Sequence, residues 1–132
     1  MTKHRLLICD DEPHIGLALG MKFRKGGFDV QTARNGQEGW EAILKQSPDL
    51  LITDCTMPRM DGIELCRRIR RTPELEHLPI FMLTARGFEL DPLMVRDELR
   101  IARLILKPFS PRELFQAAQE TLGLVPPATV AR

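Results

Sequence analysis

Four apolar runs of this chain each end at a residue that can handle a phosphoryl group. In chain order these residues are the carboxylates of Asp10, Asp11 and Asp54, the hydroxyl of Thr84 and the ammonium of Lys107. If the four runs are parallel strands of one sheet, their carboxyl ends share an edge and these side chains lie close together. Three carboxylates beside a hydroxyl and an ammonium indicate a metal-assisted phosphoryl site.

The chemistry open to this set depends on how its negative charges are compensated. Asp10 and Asp11 repel Asp54 at short range unless a hard divalent cation lies among them. Mg²⁺ accepts a few carboxylate or carbonyl oxygens, keeps several waters and bridges to phosphate. With the cation bound, Asp54 can attack phosphorus as a nucleophile and form an acyl phosphate. Lys107 and Thr84 can then stabilise the charge that builds on the phosphoryl oxygens.

Each of these residue types also has an ordinary structural explanation. An Asp-Asp pair after a strand is commonly a turn and a helix cap, and a Lys-Pro pair at a strand end is commonly part of a loop. A threonine at a strand end carries little information by itself. The joint placement of all of them at four strand ends, in this order, favours a shared site over coincidence.

The apolar runs belong to a regular alternation of strand-like and helix-like segments. Strands are predicted at residues 5–9, 29–33, 50–54, 79–83 and 102–106. Four of them are apolar over most of their length, as strands buried on both faces are, whereas the mixed segment 29–33 fits an edge strand. This alternation predicts a parallel sheet covered by helices on both faces.

Helical apolar spacing between the strands predicts five helices, the fourth at about residues 90–99. Asp11 is a candidate N-cap of the first helix, and Ser110 is a candidate N-cap of the last, with Pro111 in its first turn. The end of the third helix, where cations favour the helix dipole, carries a cluster of arginines that we interpret as solvated: Arg67, Arg68, Arg70 and Arg71. The predicted fold is therefore a doubly wound α/β fold.

Length and composition describe one ordinary domain. We expect it at residues 1–124 of the 132, followed by a flexible C-terminal tail at residues 125–132. The net charge of +1 gives no general attraction to nucleic acid or anionic membranes. No apolar stretch approaches the roughly 18 residues that span a bilayer. The three cysteines, Cys9, Cys55 and Cys66, form neither a disulfide framework nor a zinc motif, which fits a cytoplasmic protein.

The motifs at the strand ends resemble those of the bacterial response regulator receiver domain. They are residues 7–13, residues 54–62, the pair Thr84-Ala85 and the triplet at residues 107–109. Residues 54–62 follow the pattern Asp-x-x-Met-Pro-x-Met-Asp-Gly, which recurs in few other contexts. The resemblance covers essentially the whole chain and implies a flavodoxin-like fold of five strands, in the order 2-1-3-4-5, and five helices.

The resemblance also implies a function in phosphorelay signal transduction. Asp54 would accept a phosphoryl group from a sensor histidine kinase or a phosphotransfer protein, and the protein would present a phosphorylation-dependent surface to a downstream target protein. It would catalyse only its own aspartyl phosphorylation and dephosphorylation, and would not be an enzyme acting on another substrate.

By the same resemblance, each site residue has a role. Asp10, Asp11, Asp54 and the backbone carbonyl of Thr56 would surround Mg²⁺, for which Mn²⁺ can substitute. Thr84 would be the switch hydroxyl, and Lys107 would pair with the acceptor or its phosphate. Thr56 and Arg86 would tune the lifetime of the phosphoryl group. The peptide bond between Lys107 and Pro108 would be cis.

Departures from the family pattern concern the output surface. Leu104 stands where the family usually has an aromatic residue whose rotation follows the switch threonine. The stretch from Arg100 to Arg103 is basic where the family is often small and acidic. The face between Leu90 and Leu122, a possible homodimer surface, is therefore expected to make atypical contacts.

Two rival functions remain open from the sequence. The first is a phosphorylation-independent adaptor that keeps the receiver fold as a binding module, which Leu104 supports and the intact acidic set opposes. The second is a hydrolase with an aspartyl-phosphate intermediate. Such enzymes commonly have an acid–base carboxylate two residues after the nucleophile, and that position holds Thr56.

Overall fold

The computed structural model describes residues 3–86 and 90–126. Within these residues, five parallel strands form one sheet in the order β2-β1-β3-β4-β5. The strands are β1 (Arg5–Cys9), β2 (Asp29–Ala33), β3 (Leu50–Asp54), β4 (Ile80–Thr84) and β5 (Arg103–Leu106). The predicted doubly wound sheet and its strand order are confirmed. Most of the predicted tail, residues 127–132, lies outside the described residues.

The five predicted helices are present in the described part of the chain, together with a short 3₁₀ turn at Pro73–Leu75. Four are α-helical: α1 (Pro13–Lys25), α2 (Gly36–Lys45), α3 (Gly62–Arg70) and α4 (Pro111–Thr121). The fourth predicted helix is instead a π-helix at Met94–Glu98. Its wider turn is closed by the Leu99 N–H, which donates to the Met94 carbonyl at 2.8 Å. None of the described helices is long and apolar enough to cross a membrane.

Alternating side chains of the sheet form two separate cores. Leu7 and Leu51 face the side covered by α2 and α3, where they pack with Ile43 and Leu65. The side chains one position along point the opposite way because of the strand's two-residue period, and they pack against α1 and α4. Burial on both faces holds the central strands rigidly, so the strand ends are well-defined attachment points.

The prediction that the last strand is buried was wrong. Leu104 is 38% exposed and Leu106 is 58% exposed. The reason is topological: β5 pairs with β4 alone among the described strands, so it forms the second edge of the sheet opposite β2. An apolar sequence cannot distinguish a strand buried on both faces from an edge strand that leaves apolar side chains uncovered.

The capping prediction held at one helix and failed at another. Ser110 caps α4, since its Oγ accepts a hydrogen bond from the Glu113 N–H at 3.3 Å. Asp11, however, does not cap α1: Glu12 occupies the N-cap position and makes no side-chain capping bond. The preceding turn is closed instead by Asp10, whose Oδ1 accepts from the Glu12 N–H at 2.9 Å.

The interpretation of the α3 arginines as solvated is wrong for Arg70. This half-buried guanidinium donates to the carbonyls of Leu99 at 2.7 Å, Glu76 at 2.8 Å and Arg100 at 3.1 Å. Arg100 itself adopts a left-handed backbone conformation, with φ of 49°. Arg70 therefore ties α3 to the end of the π-helix and to the turn before β4.

Candidate functional site

The predicted site residues meet at the carboxyl edge of the sheet. Asp10 follows β1, Asp54 ends β3, Thr84 ends β4 and Lys107 follows β5. The strand register aligns these ends, because Cys9 pairs with Thr53 and the two neighbouring strands are aligned in the same way. Their convergence is thus a consequence of parallel pairing between strands of nearly equal length.

The loop after β3 requires a glycine. A Cβ on Gly62 would overlap the backbone carbonyl of Asp54. The Gly62 N–H also donates to the Cys55 carbonyl at 2.9 Å. This close approach brings the start of α3 against the end of β3 and so holds the backbone of Asp54.

Four carboxylates cluster at this edge. Asp10, Asp11, Glu12 and Asp54 each offer an oxygen, and these oxygens lie within 4.8 Å of one another. Asp10 and Asp54 are nearly fully buried, at 5% and 6% exposure, whereas the other two are exposed. Sequence reasoning had assigned roles to the three aspartates and none to Glu12.

Lys107 is held among three of these carboxylates. Its Nζ lies 3.0 Å from Glu12 Oε1, 3.3 Å from Asp54 Oδ2 and 3.4 Å from Asp10 Oδ2. Burial opposes the lysine's charge, but the hydrogen bond to Glu12 and the charges of Asp10 and Asp54 together raise the pKa of the ammonium. Lys107 is therefore a permanent cation in the site.

One ammonium does not fully compensate the buried carboxylates. Burial raises the pKa of Asp54, while the Lys107 charge and a hydrogen bond from the Thr56 backbone N–H counteract it. Burial also raises the pKa of Asp10; the Glu12 backbone N–H counteracts this and the charge of Asp54 adds to it. With four carboxylates beside one ammonium, the site carries an excess of negative charge that an added cation would relieve.

A buried oxygen without a hydrogen bond supports a metal at this position. Asp10 Oδ2 is buried and accepts no hydrogen bond from any described residue. Together with the neighbouring carboxylates it forms the all-oxygen donor set that hard divalent cations prefer. The residues present therefore fit Mg²⁺. The predicted ligation through the backbone carbonyl of Thr56 stays a prediction.

The hydroxyl of Thr84 lies in a buried position at the end of β4. Thr84 is 5% exposed, and its Oγ1 accepts a hydrogen bond from the Arg86 N–H at 3.0 Å. This bond does not use the hydroxyl proton. Thr56, Thr84 and Arg86 line one open pocket together with Cys55 and Leu90. The two predicted lifetime-tuning positions therefore border the same opening, and their roles stay predictions.

Two further expectations concern β5 and the residue after Lys107. Leu104 pairs with Met82, and Leu106 pairs with Thr84. Leu104 therefore lies two residues along β5 from the partner of the threonine, and it has no aromatic ring. Its role in output is untested. The peptide bond between Lys107 and Pro108 is cis, as the resemblance implied.

Glu12 is the site residue that sequence reasoning missed. Its position directly after two aspartates and before a helix was a signal of proximity to the site. Its partner could not be identified from that signal, because Lys107 lies 95 positions away along the chain. The exposed His14 lies next to Glu12, with its Nε2 3.5 Å from Glu12 Oε2.

Comparison with known sequences gives a consistent result. The family model described as "Response regulator receiver domain" matches residues 6–119. The phosphate regulon transcriptional regulatory protein PhoB of Rhizobium meliloti (strain 1021) is 38% identical over 128 residues, which cover 96% of this chain and 56% of PhoB. The chain spans about half the length of the curated relatives it matches.

Solved structures share the fold. The chemotaxis response regulator CheY4 of Vibrio cholerae matches with a TM-score of 0.80 and 28% identity, over 90% of this chain and 98% of CheY4. The receiver domain of a signal transduction histidine kinase from Syntrophus aciditrophicus matches with a TM-score of 0.79 and 30% identity, over 98% and 97% of the two chains. The similarity therefore includes nearly the whole described chain.

Proposed function

Because this chain belongs to the response regulator receiver domain family, we propose that it takes part in phosphorelay signal transduction by accepting a phosphoryl group on Asp54. Receiver domains of this family interact with histidine kinases and downstream targets. The observation that supports the proposal best is the buried Asp54 carboxylate, 3.3 Å from the Lys107 ammonium within a cluster of further carboxylates. We propose a sensor histidine kinase or a phosphotransfer protein as donor.

In the proposed reaction an Asp54 carboxylate oxygen attacks the phosphorus atom. The new oxygen–phosphorus bond forms an acyl phosphate, while the bond from phosphorus to the donor's histidine nitrogen breaks and the nitrogen keeps the electron pair. Lys107 neutralises charge on the phosphoryl oxygens. We propose that the Thr84 hydroxyl, whose proton is not used by its bond from the Arg86 N–H, donates a hydrogen bond to the phosphoryl group.

Receiver domains typically bind Mg²⁺ in an acidic cluster, and this structure has such a cluster. We assign Asp10, Asp11, Asp54 and the carbonyl of Thr56 as its ligands, with Mn²⁺ as a substitute. When bound, the ion supplies positive charge that offsets the carboxylates and the phosphoryl oxygens. Asp10 contributes the buried oxygen that otherwise has no hydrogen bond.

Receiver domains are generally signalling modules and not enzymes acting on other substrates, and we propose the same for this chain. It would catalyse only the phosphorylation and dephosphorylation of its own aspartate. Thr56 is exposed at the position where a hydrolase of this chemistry commonly has a carboxylate, so it offers no acid–base group. We propose that Thr56 and Arg86 instead set the lifetime of the phosphoryl group.

We propose that the output of the protein is a surface that changes on phosphorylation. The phosphorylated domain, which we place at residues 1–124, would present a changed surface to a downstream target protein. The face between Leu90 and Leu122 is a candidate homodimer surface. PhoB, the relative named above, is a transcriptional regulatory protein of which this chain covers 56%. Because the net charge of the chain is only +1, we propose no nucleic-acid partner for the domain itself. A cytoplasmic location stays a prediction.

The alternative function is a phosphorylation-independent adaptor. The observation that favours it is Leu104, which cannot couple to Thr84 as an aromatic residue would. Binding of a target with equal affinity by the phosphorylated and unphosphorylated protein would support this alternative.

Incubation with a small acyl phosphate and Mg²⁺ tests the proposed acceptor. We expect one phosphoryl group per chain, detected by intact mass, and none in the Asp54→Asn variant. The matched control is Asp97→Asn, which removes an exposed carboxylate paired with Arg96, and it should take up phosphate normally. Equal uptake by Asp54→Asn would contradict the proposal.

A further inference from the structure

Glu12 makes the shortest ion pair to Lys107 in the structure. The distance from Lys107 Nζ is 3.0 Å to Glu12 Oε1, compared with 3.3 Å to Asp54 Oδ2 and 3.4 Å to Asp10 Oδ2. The bond to Glu12 is also a hydrogen bond. The ammonium proposed to assist Asp54 is therefore shared with a carboxylate that has no role in the proposed metal site.

The Glu12 carboxylate does not cap the helix that it precedes. Glu12 is the N-cap residue of α1, yet it makes no side-chain capping bond. One of its oxygens contacts Lys107 and the other lies 3.5 Å from His14 Nε2. The side chain thus extends towards Lys107 instead of accepting a hydrogen bond from the first backbone N–H groups of α1.

Glu12 differs from the other two partners of Lys107 in mobility. Asp10 and Asp54 are buried at strand ends, whereas the Glu12 side chain is 46% exposed and longer by one methylene. A partly exposed side chain can release its partner without leaving a buried charge uncompensated. Glu12 can therefore hold the ammonium before phosphoryl transfer and let it go during the reaction.

We propose that Glu12 is a positioning residue that restrains Lys107 and thereby slows phosphorylation of Asp54. The proposal rests on the proposed function of Asp54 as phosphoacceptor. The Glu12 carboxylate competes with the incoming phosphoryl oxygens for the same ammonium. Removing that charge while keeping the side chain's size makes the ammonium fully available to Asp54 and its phosphoryl group.

The test measures the rate of Asp54 phosphorylation by a small acyl phosphate at saturating Mg²⁺. We expect Glu12→Gln to raise this rate about two- to fivefold, the range typical of one partly exposed ion pair. The matched control is Glu38→Gln, which removes the charge of a glutamate on α2. The Glu38 side chain has a similar exposure to that of Glu12 and pairs with Arg34. Its rate should equal that of the wild-type protein.

A second pair of variants shows whether Glu12 acts through Lys107. In a Lys107→Ala background, measured over longer incubation, Glu12→Gln should leave the rate unchanged. An equal rise in that background would mean a general charge effect and would overturn the proposal, as would an unchanged or lower rate for Glu12→Gln alone. Absence of phosphorylation in the wild-type protein is a different result, because it refutes the proposed function itself.

Discussion

Asp10 holds a buried carboxylate oxygen that accepts no hydrogen bond from a described residue, although the Lys107 ammonium lies 3.4 Å away. Burial raises the pKa of this carboxyl and of Asp54, so the folded protein keeps both charges only against an opposing free energy. The same arrangement prepares the site for a divalent cation. At the scale of single residues, burial of these carboxylates both favours binding of a metal ion and lowers the stability of the metal-free protein.

Replacement of Asp10 by asparagine tests this link. We expect Asp10→Asn to raise the free energy of unfolding of the metal-free protein by about 1 kcal/mol, the typical size of a single-residue effect, because it removes one buried charge. Wild-type protein should gain about 1.4 kcal/mol from Mg²⁺ at ten times its dissociation constant. The variant should lose most of that gain, as measured by chemical denaturation with and without Mg²⁺. A metal-free variant less stable than wild type would contradict the account.

The difference in stability between Asp10→Asn and wild type should depend on pH in a defined direction. The folded protein binds protons at Asp10 more readily than the unfolded chain, because burial raises the pKa of this carboxyl. The contribution of Asp10 to stability therefore improves as the pH falls through its raised pKa and worsens as the pH rises. In chelator, the advantage of Asp10→Asn over wild type should shrink from pH 7 towards about pH 4, near the unfolded pKa. An advantage that grows on acidification would refute this cause.

At the scale of elements, the end of the π-helix and the residue that follows Leu99 are held by arginines of α3. Arg67 Nε contacts Glu98 Oε1 at 2.6 Å, and Arg70 donates to three backbone carbonyls near the end of the π-helix and before β4. Carbonyls at a helix end need partners, and here a side chain of another helix supplies them. The π-helix is therefore anchored at its C-terminal end.

The Arg70 anchor can be removed without touching the site. We expect Arg70→Ala to lower the free energy of unfolding by about 1–3 kcal/mol, because it leaves the carbonyls of Leu99 and Glu76 without this charged donor. Arg68→Ala, which removes an arginine whose side chain pairs with Glu64 on the same helix, should change it by less than about 0.5 kcal/mol. Chemical denaturation measures both variants. Equal effects would show that Arg70 is as solvated as its neighbour.

At the scale of the whole molecule, features set by local sequence could be predicted, whereas features set by packing between distant segments could not. Apolar runs and breakers located β1, β2 and β3, because local composition determines where a buried strand begins and ends. The acidic motifs located three of the clustered carboxylates. Exposure of Leu104, the π-helical turn and the contact of Glu12 with Lys107 depend on packing between distant segments, so no local pattern predicted them.

The edge strand β5 is the part of the molecule where this difference matters for function. Its leucines, Leu104 and Leu106, were expected inside and are exposed. A face of this composition is suited to contact with another protein, which agrees with the candidate homodimer surface between Leu90 and Leu122. In the proposed function, the phosphoacceptor Asp54 thus ends a buried strand, whereas the candidate output surface includes an exposed one.

Locating the phosphoryl group on the chain tests the central claim most directly. After treatment with acyl phosphate and Mg²⁺, borohydride reduces an aspartyl phosphate to homoserine, and mass spectrometry of the peptides identifies the converted residue. We predict conversion at Asp54 alone, with Asp10, Asp11 and Asp61 unchanged. Conversion at another aspartate with Asp54 intact would contradict the account.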